Sequence, residues 1–135
     1  GKPLLGVCLG AQLLLGESEE FGSHVGLGLI PGRVESIPSE KVKVPHVGWQ
    51  RIEAPEGANW TGSILDGSSK GMWAYFIHSF HAIPSNQRDV LATCEYSGNI
   101  ITAAVRRDNV TGMQFHPEKS GRLGLDILKK FVSDE

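Results

Sequence analysis

Leu4-Leu5-Gly6-Val7-Cys8-Leu9-Gly10-Ala11-Gln12-Leu13-Leu14-Leu15 is the stretch on which the fold turns. Leu4 to Val7 is a short apolar run of strand character, and Ala11 to Leu15 is rich in strong helix formers. The segment therefore reads as strand, sharp turn, helix, with the turn on Cys8. Glycines two positions to either side, Gly6 and Gly10, suit a strained turn in which neighbouring Cβ atoms would meet backbone. A nucleophilic side chain in that setting is a nucleophile elbow. The helix that follows points its first N–H groups at the sulfur, which favours thiolate over thiol, and the N–H of Leu9 is set to donate to an oxyanion. Cys8 reads equally well as a small buried hydrophobe at a strand end. Gln12, one helical turn on, shares the face of Cys8 and would reach a bound polar substrate; as an isolated residue it reads as a surface glutamine.

Downstream, Glu17 to Glu20 is polar, and Gly22, Gly26, Gly28 and Gly32 break the chain into loop and short strands. Val34 to Ile37 and Lys41 to Val44 alternate as half-buried strands do, Pro45 stops the second, and a loop runs through Gly48 and Trp49. Ser63 to Gly71 is loop. Met72 to Ile77 is an aromatic and aliphatic strand ending at His78. Val90 to Tyr96, Ile100 to Val105 and Val110 to Phe115 are three strands joined at Ser97-Gly98-Asn99 and Asp108-Asn109, a meander of hairpins. From Ser120 onward Leu123, Ile127, Leu128, Phe131 and Val132 form one stripe of an amphipathic helix.

The 135 residues, 40% of them hydrophobic, fit one α/β or β-rich domain with a single modest core. A net charge of -2 without a basic block argues against nucleic acid. No apolar run is long enough for a membrane span, and no signal peptide is visible, so the chain reads as cytoplasmic. The two cysteines, Cys8 and Cys94, make neither a disulfide framework nor a zinc site.

The second informative stretch is Gln114-Phe115-His116-Pro117-Glu118, which follows the last strand and opens onto a loop, where catalytic groups tend to sit. A thiol nucleophile needs an imidazole to take its proton, and the imidazole needs a carboxylate to fix its tautomer. His116 and Glu118 supply both, with Pro117 pinning the backbone between them. In isolation the tripeptide also reads as an ordinary turn with a helix-capping acid.

Taken together, Gly-Val-Cys-Leu-Gly-Ala-Gln and Phe-His-Pro-Glu resemble the class I glutamine amidotransferases. Glu17 to Glu20, Gly26 to Ile30, Pro45 to Trp49 and Tyr75 to Ser79 extend the likeness over nearly the whole chain. Within the family they are most similar to the glutaminases of imidazole glycerol phosphate synthase. The resemblance implies an α/β, flavodoxin-like three-layer fold with a C-terminal β-meander and helix. It implies that Cys8 attacks the glutamine amide, that His116 moves the proton and that Glu118 orients His116. It further implies that Gln12, Glu20 and the Tyr75, His78 and Ser79 segment contact L-glutamine. No metal or organic cofactor is expected, and the partner is a barrel-shaped cyclase subunit taking up ammonia in a heterodimer. Measured against the family, a chain opening on Gly1 is expected to lack the first parallel strand and the glycine-containing loop that gives the second oxyanion donor. An amidotransferase serving another synthase, or a fragment kept only for interaction, would carry the same residues.

His78 and His81, three apart, would suit two metal ligands on a helix, but the local pattern is strand or loop and no acid or cysteine cluster lies near; they read as a pocket-lining and a surface histidine. Cys94 reads as a structural thiol. Trp49 fits either a core or an exposed anchor at a protein interface, and the resemblance favours the interface. Lys119 reads as a solvated lysine, or as a second contact to the same partner.

Overall fold

Residues 2–19, 23–38, 45–68 and 72–133 are described by the computed structural model of the protein. In chain order the elements are β1 (Leu4–Val7), α1 (Leu9–Leu13), β2 (Glu17–Ser18), β3 (His24–Val25), β4 (Gly32–Ser36), β5 (His46–Ile52), β6 (Met72–His78), β7 (Phe80–Pro84), β8 (Val90–Tyr96), β9 (Asn99–Arg107), β10 (Val110–Met113) and α2 (Gly121–Ser133).

The frame is a four-stranded sheet in the order β1-β10-β9-β8. Strands β8, β9 and β10 form the expected antiparallel meander, and β1 joins parallel to β10, with Leu4 beside Val110 and Val7 beside Met113. The hairpin turns use the chemistry the sequence advertises: Ser97 and Gly98 hold φ of 50° and 83°, and Asp108 holds 53°, left-handed values that match the twist of the paired strands. A second sheet, β3-β2-β4-β7, and a two-stranded ribbon, β5-β6, pack around this frame.

Two apolar cores result. The larger gathers Ile52, Phe76, Ile101, Met113, Phe115 and Ile127, joining the ribbon and α2 to the main sheet. The smaller gathers Leu14, Leu15, Ile30, Val34, Ala82 and Val105. Helix α1 begins and ends two residues earlier than Ala11 to Leu15, because Leu14 and Leu15 are drawn out of the helix into this smaller core. A fully buried leucine contributes about 1.5–3 kcal/mol, more than a helix of so few residues supplies from its own hydrogen bonds.

Three other expectations change. The segment through Gly48 and Trp49 is strand, not loop: His46 through Ile52 pair in register with His78 through Met72, and cross-strand pairing overrides the turn signals of Pro45 and Gly48. Strand β7, Phe80–Pro84, was hidden in sequence because only Ser79 separates it from β6, yet it pairs along its full length with β4. Strand β10 ends at Met113 rather than Phe115: the Gln114 N–H still donates to the Ala103 carbonyl of β9, and two residues on the His116 N–H donates to Tyr75 of β6. The strand read at Lys41 to Val44 lies outside the described residues. Among the described residues no helix is long and apolar enough to cross a membrane.

Candidate active site

Because β1 and β10 run parallel, Cys8 and the segment from Gln114 to Glu118 leave the sheet at the same end, the carboxyl end, where α/β folds carry their chemistry. Cys8 takes φ 53° and ψ −109°, a conformation that costs a non-glycine residue about 1–3 kcal/mol and persists only when its surroundings impose it. They do so here: the Cys8 N–H donates to the Met113 carbonyl at 2.7 Å, and the Cys8 carbonyl accepts from Ala11 and Gln12 N–H at 3.0 and 3.3 Å. A Cβ built on Gly6 would stand 2.6 Å from the Gly10 carbonyl oxygen, whereas one on Gly10 would meet nothing within 4 Å. The elbow therefore demands one of the two glycines, not both. Helix α1 has only five residues, so the axial dipole behind the sulfur is small.

The polar neighbours of the half-buried Cys8 sulfur include the Ile77 carbonyl at 3.6 Å, to which the thiol donates, and Gln114 Nε2 at 3.6 Å, which donates to the sulfur. His116 is held from the same strand. Its N–H donates to the Tyr75 carbonyl at 2.9 Å, Ser120 Oγ donates to its carbonyl at 2.6 Å, and the Tyr75 N–H donates to that Oγ at 3.0 Å. Carbonyls two apart on one strand point the same way, so β6 presents Ile77 to the nucleophile and Tyr75 to the histidine backbone on one side. His116 Nδ1 stands 2.6 Å from Glu118 Oε1, which makes Nδ1–H the donor and leaves Nε2 as the nitrogen available for proton exchange. Pro117 opens a 3-10 turn that ends at Lys119, and α2 packs on it so closely that a Cβ on Gly124 would fall 1.6 Å from the Pro117 oxygen.

The other residues singled out in sequence are placed as follows. Gln12 is buried, not a surface residue, and its two amide hydrogens go to the Phe80 carbonyl at 3.1 Å and to Gln114 Oε1 at 3.0 Å. His78 is buried between β5 and the core. Its Nδ1–H donates to the Phe80 carbonyl at 2.8 Å, so its Nε2 is the acceptor for His46 Nδ1–H at 2.9 Å. Both rings have their pKa lowered to about 4 by burial, and His46 is stacked between Phe76 and Tyr96 at ring separations of 4.9 and 4.0 Å. Tyr75 contributes its backbone to the His116 loop, and the Ser79 carbonyl accepts from the Ile37 N–H. His81 is buried rather than at the surface, on β7, where its Nδ1 accepts from the Thr102 N–H; burial lowers its pKa too. His78 and His81 thus sit on different strands, and among the described residues no group of three His, Cys, Asp or Glu is placed to hold a metal. Trp49 and Lys119 are exposed. Trp49 lies edge-on to Tyr75 at 5.7 Å. Cys94 is buried, and burial pushes its thiol up to about 12, which keeps it protonated and inert. Glu20 lies outside the described residues. A cleft of about 510 Å³, lined by Asn86, Arg88 and Arg107 among others, opens near the start of β10, at the end of that strand away from Cys8.

Sequence reasoning missed His46, Gln114, Ser120 and Gly124. Ser120 alone had a readable signal, a serine directly before an amphipathic stripe.

The family model described as glutamine amidotransferase class-I matches residues 1–134. The chain is 47% identical to imidazole glycerol phosphate synthase subunit HisH 1 of Legionella pneumophila (strain Lens), over 98% of this chain and 65% of that protein. It is 49% identical to subunit HisH of Syntrophotalea carbinolica, over 97% and 64%, and 47% identical to that of Geobacillus thermodenitrificans, over 98% and 62%. The chain thus spans somewhat less than two thirds of these relatives. Among solved structures it is similar to PurLQS from Thermotoga maritima, with TM-score 0.68 and 20% identity over 99% of this chain and 62% of that one. It is likewise similar to a putative GMP synthase subunit from Thermoplasma acidophilum, with TM-score 0.64 and 21% identity over 97% and 56%. Those likenesses carry the α/β amidotransferase fold expected from the sequence, with its mixed sheets and few helices. With its fold, its elbow cysteine and a family match over almost every residue, this chain belongs to the class I glutamine amidotransferases.

Proposed function

We propose that the chain carries the glutaminase chemistry of an imidazole glycerol phosphate synthase: hydrolysis of the side-chain amide of L-glutamine, with ammonia passed to a cyclase subunit in histidine biosynthesis. The observation that carries the reading is the convergence of a strained Cys8 and a Glu118-oriented His116 at one end of the parallel pair β1-β10. The similarity to HisH proteins supports the choice of partner.

In this reaction the Cys8 thiol loses its proton to His116 Nε2, and the sulfur adds to the side-chain carbonyl carbon of glutamine. The oxyanion is met by the N–H of Leu9, the first of α1, which lies ahead of the helical ladder. As the C–N bond breaks, His116 returns the proton to the leaving nitrogen and ammonia departs, leaving a glutamyl thioester. Water, deprotonated by His116, then displaces the sulfur to give glutamate. Glutamine and water become glutamate and ammonia, so the balance needs no metal or redox cofactor. Glu118 keeps Nδ1 protonated and steadies the imidazolium between steps. Gln12, Glu20, Tyr75, His78 and Ser79 are the candidates to line the glutamine site. Trp49 and Lys119 are the candidates to face the cyclase, since free ammonia is protonated at neutral pH and is useful only if handed over directly.

The test is glutamate release from glutamine by the complete protein reconstituted with the cyclase subunit. Cys8→Ser is expected to lower kcat by more than about a thousandfold without unfolding the chain. A folded variant that keeps wild-type turnover would reject the mechanism, and glutamate release with no transfer to the cyclase product would reject the partner.

A further inference from the structure

Gln114 lies two residues before His116 and is buried, with 4% of its surface exposed. A glutamine amide can face either way round in a fold, so its neighbours must decide its orientation. They do, through a chain of groups that starts at the Phe80 carbonyl. The Phe80 carbonyl can only accept, so both groups facing it must donate: His78 through Nδ1–H and Gln12 through Nε2–H. With Gln12 fixed in that sense, its second amide hydrogen faces Gln114, which must answer with Oε1. The nitrogen of Gln114 is then the atom left facing the Cys8 sulfur at 3.6 Å. A flipped Gln114 would set nitrogen against nitrogen at Gln12 and oxygen against sulfur at Cys8, losing both contacts.

On the proposed function above, we infer that Gln114 holds the nucleophile of this enzyme. Its side-chain N–H supports the ionised sulfur against the Ile77 carbonyl, and Gln12 acts as the positioning residue that aims it. The chemistry follows from how Ile77 and Gln114 meet the sulfur. As a thiol, Cys8 satisfies both, giving its proton to Ile77 and receiving one hydrogen bond from Gln114. Once ionised it faces the Ile77 oxygen with no proton to share, a repulsive contact, and the Gln114 N–H is a donor that offsets it. Hydrogen bonds to charged groups are the stronger class, so this one strengthens as the thiolate forms.

The experiment is the pH profile of Cys8 alkylation by iodoacetamide in the complete protein, read by peptide mapping so that Cys94 is scored separately. Gln114→Glu keeps the shape of the side chain and removes the donor. It is expected to slow alkylation of Cys8 about tenfold at neutral pH, while the rates converge with wild type at alkaline pH, where every thiol is ionised. Gln12→Leu, which frees Gln114 to turn, is expected to shift the profile the same way by a smaller amount, and Gln114→Leu, if folded by circular dichroism, to match Gln114→Glu. A profile for Gln114→Glu that overlays wild type would overturn the inference, as would slowing by the same factor at every pH, which would signal altered access instead of altered ionisation. The readout needs no glutamine. A shifted profile in a protein that hydrolyses no glutamine would therefore refute the function and leave this inference standing, and an unshifted one in an active enzyme would do the reverse.

Discussion

At the scale of single residues, the site depends on places where a side chain is forbidden as much as on those where one reacts. Gly6 and Gly124 each lie where a Cβ would collide with backbone, against Gly10 in the first case and Pro117 in the second. Neither neighbour can swing aside as a flexible side chain would. Gly124→Ala is expected to cost about 1–3 kcal/mol in denaturant unfolding and to lower glutaminase turnover more than tenfold, since the displaced Pro117 carries His116 and Glu118 with it. Gly6→Ala should destabilise to a similar degree, while Gly10→Ala, in open space at the start of a helix, should be neutral or add up to about 1 kcal/mol. Equal losses at Gly6 and Gly10 would show that the elbow is not packed as described. The candidate reacting residues were legible because Cys8 and His116-Pro117-Glu118 are short local patterns with a chemical reason for their spacing. Gln114, His46 and Gly124 were not, because their meaning lies in partners far along the chain: Gln114 meets Cys8 across 106 positions and His46 meets His78 across 32.

Among the elements, the ribbon β5-β6 does two jobs on its two faces. Inward, Ala74, Phe76 and His78 are buried. Outward, Val47, Trp49 and Trp73 remain about half exposed, and Trp49 rests on Tyr75, whose carbonyl anchors His116. Single exposed apolar residues are ordinary, but two tryptophans and a valine on one face of one ribbon make a patch of the composition found at interface hot spots. Trp49→Ala is expected to weaken association with the cyclase subunit at least tenfold by titration calorimetry, with little change in Tm, because the side chain is not part of either core. A large fall in Tm with unchanged affinity would assign Trp49 to folding instead. This ribbon was also where element reading from sequence failed. Pro45 and Gly48 are honest turn signals, and only the partner strand, supplied more than 20 residues later, makes the segment extended. The meander β8-β9-β10 was readable because its turns are built from adjacent residues, whereas the parallel union of β1 with β10, which creates the site, leaves no local trace.

For the whole molecule, the buried imidazoles tie stability to pH. His46 and His78 have pKa values lowered to about 4 by burial, against 6.5 in a solvated chain. Below pH 6.5 the unfolded chain takes up protons that the native one refuses, so stability falls as pH drops from about 6.5 toward 4. Each of the two contributes a slope of up to about 1.4 kcal/mol per pH unit in that window. His46→Phe should give a shallower slope by chemical denaturation between pH 6.5 and 4.5 than the wild-type protein, even though its stability at pH 7 is lower. An unchanged slope would mean that the ring is not held neutral. The same burial keeps His46 and His78 uncharged near neutral pH, in the one tautomeric arrangement that the Phe80 carbonyl dictates. The most direct test of the central claim, a Cys8 thiol worked by His116, is covalent labelling of the complete protein by a glutamine-analogue chloroketone, followed by intact mass and peptide mapping. The account predicts one label per chain, on Cys8, blocked by excess L-glutamine and slowed at least tenfold in His116→Asn. Labelling that ignores glutamine, falls elsewhere, or proceeds at the same rate without His116 would contradict it.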